Sequence, residues 1–168
     1  MGNDYDVAIL GAGPGGYVAA LRAAQLGAKV ALVEKDRVGG TCLNVGCIPT
    51  KALTTATNLL VDARRGEDFG LRIPEVRADL PALMAYEQET VDNLVGGVER
   101  LLDERDVTLV RGYGRLVDPD TLHVTDPEGR ATQVSANHVI LAPGSVTARP
   151  PIPGLDVPGV MTSTEALT

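Results

Sequence analysis

Apolar positions along the chain fall into runs of different period. Tyr5 to Leu10 is a short apolar run ending at Gly11, the pattern of a buried strand. Gly15 to Leu26 is rich in Ala and other helix formers, and Gly27 follows as a stop. Lys29 to Glu34 (KVALVE) is a second apolar run. Residues 5–34 therefore predict a βαβ unit.

Residues 41–65 predict a helical segment, clearest from Thr50 to Arg65, with Gly66 beyond it. Residues 79–105 carry the longest helical periodicity. Val91, Leu94, Val95, Val98, Leu101 and Leu102 share one face, and Gly96-Gly97 interrupts it.

After Asp106 the period shortens. Val107–Val110, Arg115–Val117, Thr121–Thr125 and Thr132–Val134 are short and β-rich, separated by turn chemistry at Asp118-Pro119-Asp120 and Asp126-Pro127-Glu128-Gly129. They predict a β-meander over 107–134. His138 to Ala142 predicts a separate buried strand at 138–142 that returns to the sheet. Residues 151–168, which include Pro151, Pro153 and Pro158, predict an extended, irregular tail. The expected fold class is α/β. A Rossmann-like dinucleotide-binding domain over residues 1–150, with helices on a parallel sheet, carries an inserted antiparallel β-meander.

Composition sharpens this picture. With 3% aromatics, no Trp and one Phe, the core must be built from Ala, Val, Leu and Ile, which suits a helix-covered parallel sheet. A net charge of -7 argues against nucleic acid or an anionic membrane as partner. No stretch approaches the roughly 20 apolar residues of a membrane span. The start, Met1-Gly2-Asn3-Asp4-Tyr5-Asp6, lacks the basic region of a secretory signal, and Asp6 stands where a myristoylation signal has Ser or Thr. The expectation is a cytoplasmic protein, where two cysteines seldom serve as a structural staple.

Gly11-Ala12-Gly13-Pro14-Gly15-Gly16 fits GxGxxG in the required context, with a strand before it and a helix after it. Gly11 permits the tight turn, Gly13 lets a pyrophosphate approach the backbone, and Gly16 lets helix and strand pack closely. The helix N-terminus offers amides and a positive dipole end to phosphates. Glu34 lies about 20 residues on, where a carboxylate accepts hydrogen bonds from adenosine ribose hydroxyls and repels a 2′-phosphate. The fingerprint indicates an adenine dinucleotide without separating FAD from NAD. The competing reading is a glycine-rich turn beside a solvated Glu.

Cys42 and Cys47 are separated by Leu43 to Gly46 and can close a small loop. Pro49 stands where a first helical residue would, which puts Cys47 near a helix N-terminus, where a thiolate is stabilised. Lys51 adds positive charge nearby. Chemistry alone leaves four readings open: a redox pair, buried free thiols, half a zinc site, or a structural disulfide. No metal site is expected, because His123 and His138 lie in predicted strands far along the chain and no second Cys pair exists. Those histidines are expected to have no catalytic duty.

The segment Gly39-Gly40-Thr41-Cys42-Leu43-Asn44-Val45-Gly46-Cys47-Ile48-Pro49-Thr50-Lys51 closely resembles the redox-active signature of the class I pyridine nucleotide-disulfide oxidoreductases. Leu43 and Ile48 resemble the branch that oxidises dihydrolipoamide, where the glutathione- and mercuric-reducing branches tend to carry Val. The run from Asp4 to Lys35 resembles the family's FAD fingerprint. Arg111–Gly114 and Ile140–Ser145 resemble later FAD-contacting stretches, so the likeness covers nearly the whole chain. Two positions depart from the pattern. Pro143 stands where Thr or Ala is commoner and removes a backbone donor, and Thr50 replaces a commoner Ser.

The resemblance implies FAD at the first fingerprint. It implies Gly11, Gly13, Gly15 and Gly16 on the pyrophosphate, Glu34 and Lys35 toward the adenosine, Gly40, Thr41 and Lys51 near the flavin, Gly114 beside the adenine, and Gly144 in close approach. It implies Cys47 as the flavin-facing sulfur and Cys42 as the interchange thiol, joined as a redox-active disulfide. It implies NAD+ only at a second nucleotide domain absent from this sequence, and a dihydrolipoyl group of a lipoyl domain in a 2-oxoacid dehydrogenase complex as partner. Homodimerisation would be through an interface domain, also absent. The expectation is an N-terminal part of such an enzyme, inactive in NAD-dependent turnover on its own and weak or silent in FAD binding. A stand-alone FAD-binding or assembly module, or a glutathione- or mercuric-type reductase, are the alternatives.

Overall fold

A computed structural model describes residues 4–168; Met1, Gly2 and Asn3, and with them part of the N-terminal reading above, lie outside the described residues. Strand β1 is Tyr5–Leu10, helix α1 Pro14–Gln25 and strand β2 Val30–Glu34. Helices α2 (Gly40–Val45), α3 (Cys47–Arg64) and α4 (Leu80–Asp103) follow. Strands β3 (Thr108–Arg111), β4 (Tyr113–Asp118), β5 (Thr121–Thr125) and β6 (Ala131–Leu141) complete the sheet, in the order β3-β2-β1-β6-β5-β4. Strands β3, β2, β1 and the second half of β6 run parallel; β4, β5 and the first half of β6 run antiparallel.

Alternation along β1 and β2 sorts the core into two layers. Ile9, Val30 and Leu32 face α1 and α4, packing with Ala20, Val38, Leu102 and Val107. Ala8, Ala31 and Val33 face the other way, against Leu122, Val124, Val134 and Ala136 of the meander. β2 is buried along its whole length, as a strand covered on both faces must be. The α/β class with a parallel sheet, covering helices and an antiparallel meander is therefore the observed one.

Several expected elements need correction. The strand expected at Val107–Val110 as the start of the meander is β3, which pairs in parallel with β2, Ala31 opposite Thr108 and Glu34 opposite Arg111. A parallel neighbour needs a long crossover, and α4 supplies it. Gly112, at φ +151, then separates β3 from the antiparallel part. The separate strands expected at Thr132–Val134 and 138–142 are one strand, β6. Its residues Ala131–Ser135 pair with β5, and Ala136–Leu141 pair with β1. No Gly or Pro interrupts Ser135-Ala136-Asn137, and fully buried Ala136 carries the strand from one sheet layer into the other.

The helix expected over 41–65 is two helices. Gly46 (φ -147, ψ -108) breaks them, and α3 starts at Cys47, two residues before Pro49. Pro is tolerated there because amides of a first helical turn have no intrahelical acceptor. The Gly96-Gly97 pair leaves α4 unbroken, because the stripe Val91, Val95 and Leu102 anchors it to the core on both sides. The 151–168 tail has only a short 3-10 turn at Glu165–Leu167, where the Glu165 carboxylate accepts from the Thr162 amide and from Arg149. Among the described residues no helix is long and apolar enough to cross a membrane.

Candidate active site

The glycine loop between β1 and α1 is held on three sides. The Gly11 amide donates to the Val33 carbonyl at 2.8 Å, and the Gly39 amide donates to the Ala12 carbonyl at 2.8 Å. A side chain at Gly11 (φ +99) would lie 2.2 Å from the Ala142 carbonyl oxygen, where β6 ends. Gly13 caps α1 in an extended conformation, and no acidic residue occupies the first turn. Gly16 faces inward, and a Cβ there would sit 1.7 Å from the Gly11 carbonyl oxygen. Helix and loop touch backbone to backbone.

Glu34 ends β2 at 8% exposure. One carboxylate oxygen, Oε2, accepts from the Ala12 amide at 2.7 Å, and Oε1 accepts from the Asp36 amide at 2.9 Å. The carboxylate thus braces the glycine loop as well as facing the cavity. Lys35 is exposed and pairs with Asp36 at 3.6 Å.

The turn Gly39-Gly40 leads into α2. Gly40, at φ +55, approaches the loop so closely that a Cβ would be 2.8 Å from the Gly13 Cα. Leu43 of α2 packs with Val91 and Val95 of α4, and half-buried Cys42 joins that cluster. Cys47 is the first residue of α3 and is exposed. Both carry free thiols. The Cys42 thiol is pushed above its ordinary range by its hydrogen bond to Cys47, by burial and by the neighbouring sulfur's charge, against the opposing pull of Lys51.

These elements enclose one cavity of about 600 Å³. Gly11, Gly13 and Glu34 line it together with Gly40, Thr41, Cys42, Cys47 and Gly144. A smaller cavity of about 180 Å³ adjoins it, lined by Gly11, Glu34, Lys35, Gly114 and Pro143. Gly114 packs there against Leu10 and Val33, where a Cβ would meet their side chains at 2.5 and 2.9 Å. Gly15, Gly16 and Lys51 do not line the main cavity; Gly16 serves the close packing of α1 on the loop, and Lys51 acts through its charge on Cys42. Sequence reasoning passed over Asn44 and Arg37, both on the cavity wall. Asn44 sits between the cysteines, and that position was its available signal. Arg37 had none, because its Asp92 partner (2.6 Å) lies far along the chain.

The arrangement suits a ligand that carries both phosphates and a redox centre, since the glycine loop and the two cysteines share one cavity. The volume is in the range of small-molecule sites. Backbone without side chains lines the narrowest part, as close approach of phosphates requires, and a carboxylate stands at the adenosine end. The residues present therefore fit a flavin dinucleotide. Among the described residues no group of three or more His, Cys, Asp or Glu could hold a metal ion.

A Rossmann-type nucleotide fold whose dinucleotide cavity ends on a dithiol defines the class: a nucleotide-dependent disulfide oxidoreductase. The chain belongs to the pyridine nucleotide-disulphide oxidoreductase family, whose description matches residues 5–168. It is 42% identical to leghemoglobin reductase of Glycine max over 98% of this chain and 32% of that protein. It is 42% identical to mitochondrial dihydrolipoyl dehydrogenase of Pisum sativum over 98% of this chain and 33% of that protein. Among solved structures it matches the HOCl-induced flavoprotein disulfide reductase RclA of Escherichia coli, in a Cu(II) complex, with TM-score 0.78 and 30% identity, over 99% of this chain and 34% of that one. The chain thus spans about a third of the length of the curated relatives it matches.

Proposed function

We propose that this chain is the FAD-binding, dithiol-bearing part of a dihydrolipoyl dehydrogenase. The observation that carries the proposal is that the glycine loop, Glu34, Cys42 and Cys47 line one and the same cavity. Gly11, Gly13 and the start of α1 would hold the pyrophosphate of FAD, Glu34 with Lys35 its adenosine side, and Gly40, Thr41 and Gly144 the passage toward the cysteines. When bound, FAD supplies a two-electron acceptor beside the thiol pair.

The chain's own chemistry is thiol–disulfide exchange. In the oxidised state, a substrate thiolate attacks Cys42 Sγ; the Cys42–Cys47 bond breaks and Cys47 leaves as the thiolate. The second substrate thiolate then attacks the sulfur bound to Cys42 and releases it. The substrate ends as a disulfide and the protein as a dithiol, so two electrons have moved. Cys47 is exposed and opens α3, so it is placed at the N-terminal end of that helix. Cys42 is half-buried, and its thiol is pushed above its ordinary range by its hydrogen bond to Cys47, by burial and by the neighbouring sulfur.

The substrate is proposed to be a dihydrolipoyl group of a lipoyl domain in a 2-oxoacid dehydrogenase complex, the final acceptor NAD+, the whole protein a homodimer, and its site the cytoplasm. Relatives bearing the dihydrolipoyl dehydrogenase name support the substrate. The test begins with the chain oxidised to the Cys42–Cys47 disulfide. Dihydrolipoamide should convert it to two alkylatable thiols, and in Cys42→Ser the remaining cysteine should form no exchange adduct with the substrate. Failure of dihydrolipoamide alongside reduction by glutathione would reassign the substrate to a glutathione-type reductase.

A further inference from the structure

Asn44 lies on α2 between the two cysteines, and nothing above gives it a task. Its amide nitrogen donates two hydrogen bonds, to the Val38 carbonyl at 3.0 Å and the Gly40 carbonyl at 2.9 Å. The Gly40 carbonyl opens α2 itself, whereas the Val38 carbonyl belongs to the turn that meets the glycine loop, through the Gly39 amide on the Ala12 carbonyl and the Gly40–Gly13 approach. Ala12 in turn donates to Glu34. A continuous hydrogen-bonded chain therefore runs from Glu34, through the glycine loop and the Val38–Gly40 turn, to the helix that carries Cys42. The Asn44 amide oxygen is buried and has no hydrogen-bond partner. The two hydrogen bonds of its nitrogen orient the side chain. Asp fits the same space but has no donor for two carbonyls, and Ser or Ala cannot span them.

We propose that Asn44 is a positioning residue for the thiol pair: it locks α2 onto the turn beside the dinucleotide loop and thereby sets how readily Cys42 and Cys47 close a disulfide. The proposal rests on the redox reading of that pair. A disulfide tolerates a narrow range of backbone separation. The two cysteines sit on different helices joined at Gly46, where even a Cβ would come within 2.7 Å of the Thr41 carbonyl oxygen. α2 has six residues and a left-handed glycine cap without a side-chain hydrogen bond, so little within the helix itself holds it in place. Leu43 holds one side of it, and the Asn44 amide holds the other.

The experiment equilibrates the full chain with mixtures of reduced and oxidised glutathione. Oxidised glutathione takes up two electrons and two protons from the Cys42 and Cys47 thiols, the Cys42–Cys47 bond forms, and two molecules of glutathione result. Alkylation and mass measurement give the equilibrium constant. Asn44→Asp should lower that constant about tenfold, equivalent to about 30 mV for a two-electron couple. The gap from the unsubstituted chain should narrow as pH falls through the carboxyl range, because a protonated carboxyl regains one donor. Asn44→Ser should show the loss without the pH dependence, and serves if Asn44→Asp does not fold. Leu122→Ala, in the core layer on the other face of the sheet, should lower the melting temperature and leave the constant unmoved. Asn44 variants that lower the melting temperature but keep the unsubstituted constant would overturn the proposal. An unsubstituted chain that never forms the disulfide would instead overturn the redox reading on which it rests.

Discussion

The Ala12 amide donates a 2.7 Å hydrogen bond to the Glu34 carboxylate, joining the glycine loop to the end of β2 from within. Sequence logic assigns this acid to a ligand's ribose, whereas the fold also uses it as the brace of its own loop. Ligand binding and loop shape are therefore coupled at one side chain.

Glu34→Ala should leave the Ala12 and Asp36 amides without this acceptor in a buried setting. The expected cost is about 1–3 kcal/mol, read as a fall in melting temperature, together with a loss of FAD or ADP-ribose affinity of more than tenfold in a fluorescence or calorimetric titration. An unchanged melting temperature would contradict the bracing role.

The glycines of the chain divide by the space around them. Gly16→Ala drives a methyl group into the Gly11 carbonyl oxygen, 1.7 Å away. Overpacking of this kind costs about 1–3 kcal/mol or more, outweighing the helix-propensity gain of an Ala. Gly96→Ala meets nothing within 4 Å in the middle of α4, so it should stabilise by about 0.5–1 kcal/mol. Chemical denaturation of the two variants should move in opposite directions.

Cys42 should alkylate with a pH midpoint above that of an ordinary thiol, because its hydrogen bond to Cys47, its burial and the charge at Cys47 all oppose ionisation. Cys47→Ser removes the partner sulfur and its charge, so the Cys42 midpoint should fall. Lys51→Met removes the opposing cation and should raise it. Iodoacetamide rates across pH, resolved by mass, check both signs.

Glu87 on α4 is 3% exposed, and burial, then the charge of Asp92, raises its carboxyl above the usual range. A carboxyl raised on folding favours the folded state while protonated, and that contribution is lost as pH rises from the unfolded value through the folded one. Glu87→Gln should therefore raise the melting temperature at neutral pH, with the advantage fading in acid below the ordinary carboxylate range. Thermal melts of both proteins across pH test it.

The two strands with a helix between them, the glycine loop and the long amphipathic helix were legible in the sequence because each follows from local rules. Period-2 and helical hydrophobic patterns, a glycine where the backbone must turn left, and a cap or stop are written within a few residues. The β-rich stretch after Asp106 was legible as strands but not as pairings. Val107–Val110 reads the same whether its neighbour is β4 or β2, since alternation records which face is buried and not which edge is shared. The join at Ser135–Asn137 was read as a break because the segment carries little strand preference, and burial of Ala136 between two layers overrode it.

The site divides along the same line. By itself the sequence determined the residue types that chemistry needs and their local spacing: the glycines of the loop, the acid ending β2, and the two cysteines. Only the tertiary structure decided which of them share a cavity. It turned Gly16 to packing, set Gly15 and Lys51 off the cavity wall, and brought in Asn44 and Arg37. The physical reason is that those placements depend on contacts between segments far apart in the chain. Arg37 on Asp92, Gly40 on Gly13 and Glu34 on Ala12 are examples, and no local period encodes such contacts.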